Sequence, residues 1–225
     1  MIGPLLRKTP YDPVRDFAPI SLMSREIMML AVHPSVPVKS VKELLALAKA
    51  RPGDLNYSLG IPGSPGFLGL ELLKSMTGIA KLIVPYKGTG QAITAVLAGE
   101  SHLTIGDFGL IVPHTKSGRL RALAVTSLEP SALAPGMSTM AGSGLPGFEV
   151  TGATAIWAPA KTPAAIVNRL NQEVLRYLNR PDVKEKFLSA EMEVVASSPE
   201  QLAGRLKSDL VKWGKVFRDA GIHPE

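Results

Sequence analysis

Residues 82–90, LIVPYKGTG, run directly into QAITAVLAGE and read as an apolar strand, a turn punctuated by proline and glycine, and the first turns of a helix. A strand that hands its turn to a helix N-terminus leaves several backbone N–H groups unpaired at the positive end of the helix dipole. Such an end attracts an anion without any salt bridge. The same order occurs upstream in LNYSLGIPGSPG, Leu55 to Gly66. Two such turns in one α/β unit point to a binding cleft for a small anionic molecule.

The rest of the chain reads as alternating elements. Residues 1–20 are dotted with prolines and read as an extended connector, whereas 26–33, EIMMLAVH, is a continuous apolar run suited to a fully buried strand, with Met28 and Met29 in the core. Ser40-Val-Lys-Glu43 forms a capping box for a helix that buries Val41, Leu44, Leu45 and either Leu47 or Ala48, and stops at Arg51-Pro52-Gly53. Strands are expected over 55–59, 80–84, 103–107 and 120–126, with helices over 67–76, 91–98 and 111–116. Short loops between alternating strands and helices predict a mostly parallel α/β sheet with helices on both faces. After a Pro/Gly/Ser/Met-rich connector at 128–148 comes a strand over 150–158. A helix follows, capped by Thr162 with Pro163 at its first position and Ile166, Leu170, Val174 and Leu178 on its core face. A short helix over 181–190 precedes a second capping box at Ser198, which opens a last helix with Leu202, Leu206, Leu210 and Trp213 on one stripe. This second part supplies helices with little sheet for them to cover.

Composition excludes several classes. The 225 residues carry a formal charge of +6, with 45% hydrophobic and 20% charged residues, as in an ordinary globular protein. The basic residues are scattered and do not interleave with aromatics, which argues against a nucleic-acid surface. With no cysteine, disulfides, thiolate metal sites and a cysteine nucleophile are all excluded. Apolar runs fall short of the about 18–20 residues that a membrane span needs. The start, MIGPLLRKTPYDP, lacks the pattern of a signal peptide, which read literally means a cytoplasmic protein. The four histidines, His33, His102, His114 and His223, have no metal-ligand spacing. There is no G-x-S-x-G elbow and no Walker A loop, and Gly88-x-Gly90 meets Ile93 where a dinucleotide fingerprint has its third glycine. No nucleophile–base set is visible, so the chain reads as a binder and not an enzyme.

The candidate contacts lie at strand C-terminal ends, where open α/β sheets bind ligands. Gly63, Ser64 and Gly66 either hold a carboxylate or form a plain turn. Gly88 and Thr89 offer the same in the second turn, and Lys87 either pairs with an anion or is simply solvated. Asp107 either accepts a hydrogen bond from a ligand amine or hydroxyl, or caps the next turn; Ser127, beside Thr126, is either a hydroxyl donor or a loop residue.

Several blocks are similar to one known family. YDPVRDFAPISL (11–22), VHPSVPVKSVKELLALAKARPGDLNY (32–57), VPYKGTGQAITAVLAGE (84–100), SGRLRALAVTS (117–127), GLPGFEV (144–150) and AGIHPE (220–225) resemble the Bug family, the extracytoplasmic solute-binding receptors of tripartite tricarboxylate transporters. The resemblance covers practically the whole chain. It implies a type II periplasmic-binding-protein fold, two α/β domains around a cleft that captures a di- or tricarboxylate, an aromatic acid or an acidic amino acid. It implies ligand contacts at Gly63, Ser64, Gly66, Gly88, Thr89, Asp107 and Ser127, with no cofactor and no metal. The implied partners are the carboxylate and the membrane subunits of the transporter, with no nucleic acid and no membrane insertion, in the periplasm. In the family's frame, 1–28 is a connector and remnant of domain 1, 29–127 is domain 2, 128–148 a hinge, and 149–225 the C-terminal part of domain 1, whose N-terminal part is missing. Relatives tend to read G-N-G-T-S-S-H in the first turn, where this chain has GIPGSPGF, so that Pro62 and Pro65 remove amide donors. That departure implies altered ligand choice or lost binding; the alternative role is a non-binding fragment that self-associates through exposed apolar surface.

Overall fold

The apolar run around Met28 and Met29 is the second half of β1 (Phe17–Val32), a strand of 16 residues in the computed structural model. The structure describes residues 2–79 and 82–224. The strand begins well before the expected residue 26 and takes in 17–20, which the sequence assigned to a connector. Buried serines hide it from a hydrophobic pattern: Ser21 donates its hydroxyl to the Ser197 carbonyl at 2.9 Å, and the Leu22 N–H donates to Ser197 Oγ at 2.9 Å. Polar groups satisfied in this way occupy core positions without cost to the ladder.

Two compact units divide the chain. One comprises Met1–Glu26 and Ala153–Glu225, the other Ile27–Gly152. In the second unit the end of β1 is followed by α1 (Val41–Ala50), β2 (Asn56–Leu59), α2 (Pro65–Thr77), β3 (Leu82–Pro85), α3 (Thr89–Leu97), β4 (Leu103–Asp107), α4 (Phe108–Lys116) and β5 (Arg121–Val125). Ala80 and Lys81, expected at the start of β3, lie outside the described residues. The strand order is β3-β2-β4-β1-β5. β2 pairs parallel with β3 and β4, but β1 runs antiparallel to both β4 and β5. The expectation of a mostly parallel sheet is corrected at this strand. β2, β3, β4 and β5 run the same way and are linked through helices, the crossovers that parallel strands require, whereas β1, which enters from unit 1, takes the opposite sense although α1 follows it.

Helices cover both faces, as successive residues of β4 reveal. Ile105 meets Gly69 of α2, while the next residue, Gly106, faces Ile93 of α3 and Ile111 of α4. On the α3/α4 side, Ile27, Met29 and Ala31 pack with Ile93, Val96, Phe108 and Ile111. Because β1 is covered on both sides, Ile27 through Val32 are all buried. Residues 128–148 pack into this unit: the Val125 N–H donates to the Ser138 carbonyl, the Met140 N–H to the Val125 carbonyl, and Met140 and Phe148 are fully buried.

Unit 1 pairs the first half of β1 with β6 (Thr151–Pro159) and β7 (Glu193–Val194), and adds α5 (Ala164–Leu178), α6 (Pro181–Ser189) and α7 (Pro199–Asp219). Arg25 and Glu193, opposite each other across β1 and β7, form an ion pair at 2.6 Å. The core face of α5 differs from expectation. Val167, Asn171 and Leu178 are buried, while Ile166 is 50% and Leu170 43% exposed. Asn171 turns the helix: its amide donates to the carbonyls of Ile20 at 2.8 Å and Ser197 at 3.0 Å. A polar residue that holds two buried acceptors outweighs an apolar count. The cap also shifts, to Pro163 with no side-chain bond.

Candidate functional site

β2, β3, β4 and β5 all end at one edge of the unit 2 sheet. Leu59 of β2 stands opposite Pro85 of β3, and Asp107 of β4 opposite Met28 of β1. α2, α3 and α4 begin at that edge, so three helix N-termini gather there.

The first turn is anchored from below. Tyr57 in β2 is fully buried, and its hydroxyl donates to the Gly66 carbonyl at 3.1 Å while accepting the Ile105 N–H at 2.9 Å. Burial pushes this phenol far above its ordinary pKa, so it stays a neutral donor and acceptor. One side chain thereby ties β2, β4 and the start of α2 together. Gly66 is buried, and a Cβ there would run into the Ile105 carbonyl oxygen. Its role in the structure is close helix-to-strand approach. Gly63, at φ +84°, supplies the left-handed turn, and Ser64 caps α2 by accepting the Phe67 N–H at 3.3 Å, with Pro65 at the first helical position.

The second turn is more open. The Tyr86 N–H donates to the Leu59 carbonyl at 2.9 Å, and the Lys87 N–H to Gln91 Oε1 at 3.2 Å. Gly88 is the N-cap of α3 and has no side chain to cap with. The Thr89 N–H and hydroxyl have no hydrogen-bond partner among the described residues. The two turns meet here. A Cβ built on Gly60 would stand 3.1 Å from the Thr89 nitrogen and 3.4 Å from its hydroxyl oxygen. Gly60 thus leaves room directly over an unpaired donor pair, a contact that a strand-end glycine signals only once its neighbour in space is known. On the other side, Thr89 Cγ2 reaches Gly106, the residue before Asp107.

Asp107 is half-buried at the N-terminus of α4, and its carboxylate makes no cap hydrogen bond. Burial raises its pKa above the ordinary carboxylate value, opposed in part by its own backbone N–H. Lys87 is exposed and has no ion-pair partner among the described residues. Ser127 stands apart. It lies on the far side of β1 from Asp107, is fully buried, and donates its hydroxyl to the Glu129 carbonyl at 2.8 Å. Its neighbour Thr126 is likewise committed, donating to the Val150 carbonyl at 2.6 Å. The structure therefore gathers the first turn, Lys87, Gly88, Thr89 and Asp107, and leaves Ser127 out. Among the described residues no helix is long and apolar enough to cross a membrane, and no group of acids and histidines is arranged to hold a metal ion.

Residues 2–222 match the tripartite tricarboxylate transporter family receptor. Protein BugT of Bordetella pertussis is 32% identical over 217 residues, which cover 96% of this chain and 67% of BugT. Among solved structures, R. palustris Rpa4515 with adipate superposes with a TM-score of 0.82 at 34% identity, covering 98% of this chain and 74% of Rpa4515. MatC from Rhodopseudomonas palustris with bound malate gives a TM-score of 0.76 at 27% identity, covering 96% and 74%. The chain spans about two thirds of the length of BugT and of three further curated relatives: 67%, 63%, 62% and 66%.

Proposed function

We propose a function from one premise: this chain belongs to the tripartite tricarboxylate transporter receptor family. It acts as a receptor and not as an enzyme, holding a small carboxylate on the edge of unit 2 where the two turns meet. The observation that carries this reading is the unpaired N–H and hydroxyl of Thr89, open over Gly60, at the uncapped positive end of α3, with the exposed Lys87 two residues before it. A carboxylate oxygen placed there accepts two hydrogen bonds and meets the helix dipole. Relatives solved with adipate and with malate support the ligand class. Presentation of the bound acid to the membrane subunits of a transporter, in the periplasm, belongs to the same proposal.

The test is a thermal-shift panel of adipate, malate, citrate, benzoate and aspartate. An acid at 100 times its dissociation constant stabilises the fold by about 2.7 kcal/mol, a readily visible rise in Tm. A cooperative melt that no acid moves would refute the proposal. The exposed Ile166, Leu170 and Tyr177 of α5 favour a second reading, self-association through apolar surface. Light scattering checks it: mass that rises with concentration supports association, and a constant monomer mass removes it.

A further inference from the structure

Beside the Thr89 donors lies an open depression of about 600 Å³ in unit 2, bounded by both turns. Its floor is shared with the proposed anion position, because Gly60 belongs to both. Of the side chains that line it, only those of Tyr86, Lys87 and Gln91 carry polar groups, and Gln91 Oε1 already accepts the Lys87 N–H. Ile61 is 56% exposed and lines it together with Pro62, Pro85 and Tyr86. Pro62 and Pro85 have no N–H to give. The N–H groups of Tyr86 and Lys87 are already spent on Leu59 and on Gln91. The one cation in the lining is Lys87.

From this lining we infer that the depression selects a monocarboxylate with an apolar body, aromatic or aliphatic, over hydroxylated di- and tricarboxylates. The inference rests on the carboxylate-receptor reading above and specifies its ligand. One carboxylate on Thr89 and Lys87 uses the only cation in the lining. A second or third carboxylate would be desolvated against Ile61 and the two prolines with no further cation to neutralise it, which is costly. Asp107, just past the Gly106 that touches Thr89, adds like charge on the other side. An apolar body gains instead, since each buried methylene or ring face leaves water.

Calorimetric titration of the 225-residue chain with benzoate, hexanoate, malate and citrate tests this, in parallel with the Ile61→Asn variant. Ile61 is largely exposed on a loop, so the substitution spares the core. Benzoate or hexanoate is expected to bind at least about tenfold more tightly than malate or citrate, and Ile61→Asn to weaken the apolar acids by about tenfold while leaving malate unchanged. Tighter binding of citrate or malate overturns the selectivity and leaves the receptor reading standing. Equal weakening of all four acids by Ile61→Asn also overturns it, since the side chain would then act without regard to the ligand body. If none of the four binds, the selectivity falls, and the thermal-shift panel with adipate and aspartate decides the receptor reading.

Discussion

Single atoms decide whether the edge of unit 2 is open. Gly60→Ala would place a methyl group 3.1 Å from the Thr89 nitrogen without forcing an unusual backbone. Losing the access of a carboxylate to one charge-assisted donor costs about 1.5–3 kcal/mol, so binding should weaken by roughly ten- to a hundredfold, and the buried methyl, also 3.3 Å from the Gly88 carbonyl carbon, should lower Tm as well. Titration of the variant against the best acid measures this. Tyr57→Phe acts from beneath: it strips the Ile105 N–H and the Gly66 carbonyl of a buried partner, and urea unfolding should report a loss of about 1–3 kcal/mol. Asp107 carries a pH signature. Its pKa is raised on folding, so between the unfolded and folded values the native state binds more protons than the unfolded chain, and this group's contribution to stability falls as pH rises through that window. Asp107→Asn should therefore raise Tm at neutral pH, with the gain vanishing once the pH drops below the ordinary carboxylate range. A variant that melts lower at neutral pH would place Asp107 in a stabilising contact instead.

Among elements, punctuation was legible and orientation was not. Glycine, proline and serine act within three or four residues, so both turns, the start of α2 and the cap of α7 could be read from the sequence. The Ser198 box closes as expected, with Gln201 N–H donating to Ser198 Oγ at 3.2 Å and Ser198 N–H to Gln201 Oε1 at 2.8 Å. Ser198→Ala should cost about 1 kcal/mol in chemical unfolding. In α1 the glutamate departs from the box: Ser40 still accepts the Glu43 N–H at 3.2 Å, but Glu43 reaches past it to the Lys39 N–H at 2.7 Å. The inner face of α5 and the early start of β1 were hidden for one reason. Asn171, Ser21 and Ser197 are polar yet buried, and only a partner many residues away makes that possible. Gly60 was passed over likewise, because its significance lies in Thr89, a neighbour in space but not in sequence.

At the scale of the whole molecule, the blocks that resemble the Bug family agree with the family match over residues 2–222 and with the shared fold of the solved relatives. Composition alone reached only as far as an ordinary globular protein. The order of strand, turn and helix gave the α/β reading and the anion cleft, and the family resemblance supplied the carboxylate receptor. The chain nonetheless changes unit in the middle of β1, after Glu26, and again inside β6, after Gly152. Neither crossing is a loop. Side chains alternate along a strand, so one added residue reverses every face beyond it. Within unit 2, an insertion between Ile27 and Met29 would leave Ile27 in place only by turning Met29 and Ala31 away from α3 and α4. An engineer who wishes to exchange unit 2 between relatives therefore has no loop to cut: both joins fall inside paired strands, and each must be spliced residue for residue.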